Sequence, residues 1–298
     1  MKGDGRKAKV GVEPSAVNWN LKRNLSERHK PVRIFHTYPS QVHRLKLPLI
    51  FVLSLFLAGC SQKVSDSQGA KIDEINVAAA ANLTDAFEEL GGAFSARTGI
   101  RVVYSFGSSA DLARQIENSA PYDIFASADV ENIDRVDGKG LLAVGTRMLF
   151  ARGRLVLWTP PGARFVITRL EDLNRSEIER IGIAKPEVSP YGRATIEALR
   201  ALNLWPQLET KVIYGQNVSQ IKQYAVTGNI DAGFIPLALA HGGTGQILEV
   251  DDRLHQPINQ AIAIVKTSQK QKAAHDFIEF LMSQEGQALL ARYGYRRP

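Results

Sequence analysis

The stretch INVAAAANLTDAFEELGGAFSARTG, from Ile75 to Gly99, changes its pattern part-way along, and the change decides the fold class. Ile75 to Ala79 is short, apolar and bounded by a polar turn, as a buried strand is. From Leu83 the apolar residues Ala86, Phe87, Leu90 and Phe94 recur at spacings of three and four. That spacing predicts a helix over Leu83 to Thr98, buried along one face and stopped by Gly99. Asn82 stands between strand and helix, where an N-cap belongs. Strand, turn and helix in that order make one unit of an α/β protein with a largely parallel sheet.

The same unit repeats downstream. Strands are predicted at Arg101 to Ser105 and Ile124 to Ser127, with helices over Ala110 to Asn118 and around Val130 to Asp137. Leu149 to Leu157 reads as one longer β-rich segment, closed by Thr159-Pro160-Pro161-Gly162, and a crossing to a second lobe is expected there. A second set follows: strand Ile181 to Ala184, helix Tyr191 to Leu202, strand Lys211 to Ile213, helix Ser219 to Thr227 and strand Ala232 to Ile235. Ala261 to Val265 is predicted to return as a strand, with closing helices over Ala273 to Met282 and Gly286 to Tyr293. The expected architecture is α/β with two lobes, each a mixed, mostly parallel sheet flanked by helices. Lobe 1 would comprise residues 71–150 and 258–298, and lobe 2 residues 151–257. Two crossings between two lobes imply a hinged cleft, with the ligand beyond the carboxyl ends of the strands.

Upstream, the charge is uneven. The 298-residue chain has a formal charge of +7, but residues 1–59 hold 11 Lys and Arg against 3 Asp and Glu, leaving 26 against 27 in the rest. The basic excess therefore belongs to the leader and does not mark the folded part as a nucleic-acid binder. A basic stretch ends at Arg44 and Lys46, the apolar run Leu47 to Leu57 follows, and Ala58-Gly59-Cys60 closes it. This is the layout of a secretory signal, and the run falls short of the roughly 20 residues a membrane-spanning helix needs. Leu57-Ala58-Gly59-Cys60 is similar to a lipobox, and Cys60 is the single cysteine of the chain, so no internal disulfide competes for it. Lipid attachment at Cys60 is expected, with residues 60–70 as a polar tether. The leader at residues 1–59 is longer than a usual signal, as a start codon placed too far upstream would make it.

Four strand-to-helix turns share small polar residues and lack cations: Ala79 to Thr84, Ser105 to Asp111, Ser189 to Gly192 and Gly215 to Ser219. The first turn of a helix leaves N–H groups unpaired and carries partial positive charge, so several such turns converging would bind an anion without Lys or Arg. Ser109 is read as the cap of its helix, and Ser and Asn side chains would add donors. A site of donors with few acceptors favours a fully deprotonated dianion over hydrogen phosphate, whose proton needs an acceptor.

The runs AAANLT (Ala79 to Thr84), SFGSSADLARQIE (Ser105 to Glu117), PYDIFASAD (Pro121 to Asp129) and AKPEVSPYGRATIEAL (Ala184 to Leu199), with the ending Arg292-Tyr293-Gly294-Tyr295, resemble the periplasmic molybdate-binding proteins of ABC importers. The similarity runs from about Ile72 to the C-terminus. It implies a type II periplasmic binding fold that holds molybdate or tungstate in its cleft through neutral donors. By position it points to Asn82, whose amide would replace the family's usual serine, to Ser109, to Tyr191 and to the backbone of Val218. One departure stands out: well-known members have a tyrosine after the strand that here reads Gly233-Phe234-Ile235-Pro236, and Pro236 offers neither hydroxyl nor N–H. Tyr191 is expected to compensate from the opposite wall.

The resemblance further implies a non-enzyme without metal or nucleotide cofactor, anchored on the periplasmic side of the cell envelope. Its partners would be the oxyanion, the permease subunits and the membrane reached through the N-terminal lipid, with no nucleic acid and a monomeric state. Sulfate is the alternative ligand within this class. An exported α/β hydrolase is the alternative outside it, but no G-x-S-x-G elbow is present, and His241, His255 and His275 stand in no triad or metal-ligand pattern. His241-Gly242-Gly243-Thr244-Gly245 lacks the lysine and spacing of a phosphate-binding loop.

Overall fold

The computed structural model describes residues 74–298, and the leader, Cys60 and the tether lie outside the described residues. Ten strands follow in chain order. They are β1 (Glu74–Ala80), β2 (Arg101–Gly107), β3 (Ile124–Ser127), β4 (Met148–Arg152), β5 (Leu155–Thr159), β6 (Ile181–Ala184), β7 (Val212–Gly215), β8 (Ala232–Pro236), β9 (Gln246–Glu249) and β10 (Asn259–Ile264). They form two five-stranded sheets, ordered β2-β1-β3-β10-β4 and β7-β6-β8-β5-β9. In each sheet four strands run in one direction and one runs against them: β10 opposes its neighbours β3 and β4, and β5 opposes its neighbours β8 and β9.

The helices are α1 (Thr84–Thr98), α2 (Ser109–Glu117), α3 (Val130–Gly138), α4 (Pro190–Ala201), α5 (Trp205–Leu208), α6 (Val218–Val226), α7 (Leu237–Ala240), α8 (Gln271–Met282) and α9 (Gln284–Arg292). They cover the sheet faces, which explains why β1 is apolar almost throughout. Ile75, Val77 and Ala79 enter one core with Phe87, Leu90 and Phe94 of α1, while Ala78 points to another with Leu112, Ile116 and Ile133 of α2 and α3. Phe94 meets Phe277 of α8 edge to face at 5.4 Å, so the C-terminal helices close the same core that α1 begins.

The expected long segment at Leu149 to Leu157 is instead two strands in different sheets. The chain crosses at Gly153-Arg154, ahead of the Thr159-Pro160-Pro161-Gly162 turn. It crosses back between β9 and β10, and Gly153 N–H donates to Ile258 C=O at 2.9 Å, tying the two crossings together. A Cβ on Gly153 would lie 2.0 Å from the Tyr191 hydroxyl, so no larger residue fits where the crossing passes α4. β9, which the sequence reading passed over, is an edge strand of four residues. No described helix is long and apolar enough to cross a membrane.

Candidate functional site

Turns at the carboxyl ends of β1, β2, β3, β6 and β7 meet around a single cavity of about 10 Å³. Ala80, Ala81, Asn82, Gly107, Ser108, Ser109 and Ala128 line it from the first sheet, and Ser189, Pro190, Tyr191 and Val218 from the second. The structure thus brings Asn82, Ser109, Tyr191 and Val218, singled out from sequence, to one place. A space of this size admits little more than a water-sized sphere. In this arrangement it leaves no room for a sugar, peptide or nucleotide. Larger depressions, such as one of about 420 Å³ beside Met282 and Arg297, are surface hollows away from these helix starts.

Among the described residues, no Lys, Arg, His, Asp or Glu lines the cavity. Its polar character comes from the starts of α2, α4 and α6, each capped by the residue before it. Ser108 Oγ accepts from Asp111 N–H at 3.2 Å, Ser189 Oγ from Gly192 N–H at 3.4 Å and Asn217 Oδ1 from Gln220 N–H at 3.0 Å. Each cap satisfies the amide of the third helical residue; ahead of it α2 and α6 each leave two N–H groups without an intrahelical carbonyl, and α4, whose first residue is Pro190, leaves one. Those remaining amides include Ser109, Tyr191 and Val218, so three dipoles present N–H groups to one point. Gly192 makes the approach of α4 possible, because a Cβ there would lie 2.0 Å from Ala184 C=O.

The side chains divide the work differently from the sequence reading. Ser108, not Ser109, caps α2, and its hydroxyl donates to Asp111 Oδ2 at 2.6 Å. The Ser109 hydroxyl accepts from Ala128 N–H at 3.0 Å, which leaves its own proton for a ligand. Asn82 is not an N-cap. It sits in a 3-10 turn, Ala81–Leu83, with no capping bond. Its Nδ2 donates to Gln260 Oε1 at 2.8 Å and to the Tyr295 hydroxyl at 3.0 Å. Both amide protons are thereby used inside the protein, and the Tyr295 hydroxyl in turn donates to the Asn82 C=O at 2.7 Å.

Tyr191 is fully buried, and its hydroxyl takes a 3.3 Å hydrogen bond from Gln260 Nε2, beside Gly153. Neither Gln260 nor Gly153 lines the cavity, so the phenol joins the network at the chain crossing while the Tyr191 N–H serves the cavity. Pro236 is also absent from the lining. It ends β8 opposite Leu155 and starts α7. Burial pushes the Tyr191 phenol well above its ordinary range, with Tyr295 beside it adding to the effect; burial likewise raises Tyr295. Both therefore remain neutral hydrogen-bonding groups. Gln260, a fully buried amide among the apolar residues of β10 beyond Asn259, organises this network and was missed in the sequence, although a polar residue beside an apolar run is itself a signal.

Residues 75–296 match the sequence pattern of the bacterial extracellular solute-binding proteins. The chain belongs to that family. Among this solute-binding protein's relatives, the molybdate-binding protein ModA of Rhodobacter capsulatus is 33% identical over 229 residues, covering 76% of this chain and 89% of that protein. A putative ABC transporter substrate-binding lipoprotein of Bacillus subtilis, YvgL, is 31% identical over 244 residues, covering 81% of this chain and 93% of its own. The solved periplasmic molybdate-binding protein of Azotobacter vinelandii superposes with a TM-score of 0.72 at 31% identity, covering 75% of this chain and 99% of that one. The two-lobed α/β architecture expected from the sequence is the architecture of that structure. Relatives of this solute-binding protein are binding proteins rather than enzymes. Among the described residues, no three His, Cys, Asp or Glu side chains gather to hold a metal ion.

Proposed function

We propose that this protein captures molybdate, with tungstate as its congener, and delivers it to the permease of an ABC importer. The observation that carries the reading is the cavity wall: first-turn amides and a serine hydroxyl with a free proton, and no charged side chain. Such a wall matches a dianion that carries no proton. Hydrogen phosphate would bring a proton that finds no carboxylate to accept it. The names of the relatives select molybdate among the tetrahedral dianions.

Asn82, Ser109, Tyr191 and Val218 then act through their N–H groups, with the Ser109 hydroxyl as an additional donor. The two lobes hinge at the two crossings, so the first boundary moves from 150/151 to Gly153-Arg154 and the second lies between β9 and β10. No step of chemistry on the ligand is required, so the protein is a carrier rather than an enzyme, and one copy suffices. Export and lipid attachment at Cys60 would hold it at the membrane beside its permease, a reading supported by the lipoprotein name of the Bacillus relative.

Thermal unfolding with each anion at equal concentration tests the ligand. At 100 times its dissociation constant a ligand stabilises by about 2.7 kcal/mol. At about 2 to 4 °C per kcal/mol for a protein of this size, the shift is easily measured. Shifts with molybdate and tungstate alone support the reading. An equal shift with sulfate reassigns the ligand while keeping the site, and no shift with any of them rejects both.

A further inference from the structure

We propose that Arg193 is a latch: from α4 on the second sheet it grips Asp129 and Glu131 of the first, and this grip sets how fast a bound anion leaves. Arg193 Nη2 lies 2.5 Å from Asp129 Oδ2 and 3.2 Å from Glu131 Oε2. The pair sits at the rim of the anion cavity. Arg193 is two residues beyond Tyr191, and Asp129 adjoins Ala128, both of which line it. The inference deepens the proposed function and rests on it.

The two partners are built differently. The Asp129 carboxylate is held in place by its own side of the cleft, accepting from Ser127 Oγ at 2.9 Å, Asn132 N–H at 3.1 Å and Asn132 Nδ2 at 2.9 Å. Its side chain is 11% exposed against 34% for Arg193. A preorganised, shielded carboxylate costs little to bring to a cation, because its remaining lone pairs are already satisfied. The arginine is the moving part. α3 follows β3 of the first sheet and α4 follows β6 of the second, with the strands of the two sheets joined by chain only at the two crossings. The contact therefore exists only while the cleft is shut.

Other contacts span the cleft. Ser219 Oγ donates to Ala81 C=O at 3.1 Å, and Ala110 N–H to Val188 C=O at 3.3 Å. Lys222 faces Asp85 at 3.5 Å, but both side chains are about a third exposed, so that pair is longer and better screened. Arg193 also counts electrostatically. It faces two carboxylates, and removing it leaves the shielded Asp129 charge unneutralised beside a cavity built for a dianion, whereas Glu131, 79% exposed, stays solvated.

The test is the dissociation rate of radiolabelled molybdate from the purified protein, chased with unlabelled anion. Arg193→Gln should release it roughly tenfold faster with little change in association, since close charge pairs act mainly on dissociation. Asp129→Asn keeps an oxygen for the α3 cap and should give a similar acceleration. The double variant should be no faster than either single one, because both remove one interaction. Arg193→Lys should fall between, and Lys222→Gln should stay within about twofold of native, as a screened pair would. Release from Arg193→Gln within twofold of native, or single effects that multiply in the double variant, would overturn the latch. If native protein retains no molybdate, the ligand reading has failed, and the latch is judged on unliganded protein by hydrogen exchange. Faster exchange across Ser189 to Arg193 and Ala110 to Leu112 in Arg193→Gln supports it, and unchanged exchange overturns it.

Discussion

Removing the Ser109 hydroxyl separates two serines that adjoin in sequence and differ in role. Ser109 Oγ accepts from Ala128 N–H and keeps its proton for the anion, whereas the Ser108 proton is spent on Asp111. A hydrogen bond to a charged group contributes about 1.5 to 3 kcal/mol. At 1.4 kcal/mol per decade, Ser109→Ala should weaken molybdate binding roughly 10- to 150-fold. It also strands the buried Ala128 N–H, which costs about 1 to 3 kcal/mol of stability unless water enters from the cavity. Ser108→Ala loses a cap instead, about 1 kcal/mol, with affinity within roughly threefold of native. Isothermal titration with molybdate reads the affinities and thermal unfolding reads the stabilities. A Ser109→Ala protein that folds and binds within threefold of native would refute the donor assignment. Equal losses of affinity in the two variants would refute the division of roles.

Three further outcomes follow from the buried network. Tyr191→Phe should leave affinity within about threefold of native, because the backbone N–H is untouched and the hydroxyl bond it loses is long at 3.3 Å; titration showing a larger loss would place the phenol on the ligand. Gly153→Ala should lower the melting temperature by overlap with the Tyr191 hydroxyl, and Tyr191→Phe in the same chain should recover part of it; thermal unfolding without any recovery would contradict the packing. Burial raises the folded pKa of Tyr191 and Tyr295 above the unfolded value of about 10. Folded protein therefore binds more protons than unfolded protein above that pH, and the stability present below about pH 10 should be lost as pH rises. Ultraviolet titration should show these phenols ionising only with unfolding; ionisation in the folded protein near pH 10 would be the contrary result.

The units of the fold were legible because periodicity is local: Leu83 to Phe94 announces its helix within three turns. The meeting of four cation-free turns was also legible, since each carries its own small polar residues. The directions of the side chains were not. Asn82 looks like a free donor until Gln260 and Tyr295, 178 and 213 residues away, take both its amide protons. The Tyr191 hydroxyl looks like a free donor to a ligand until it is found at the chain crossing. That crossing was misplaced because Leu149 to Leu157 is apolar on both sides of Gly153-Arg154, and two residues suffice to change sheets. Caps shifted by one residue, from Ser109 to Ser108, because adjacent serines offer equal propensity and only geometry chooses. Arg193 carried no signal, since its partners come from another part of the chain.

The most direct test of the central claim is an anomalous difference map from crystals grown with molybdate, recorded at the molybdenum absorption edge. The account predicts one strong peak in the cavity between the two sheets, with the anion's oxygens about 3 Å from the N–H groups of Asn82, Ser109, Tyr191 and Val218. A dominant peak elsewhere, or a cavity left without molybdenum at saturating concentration, would contradict it.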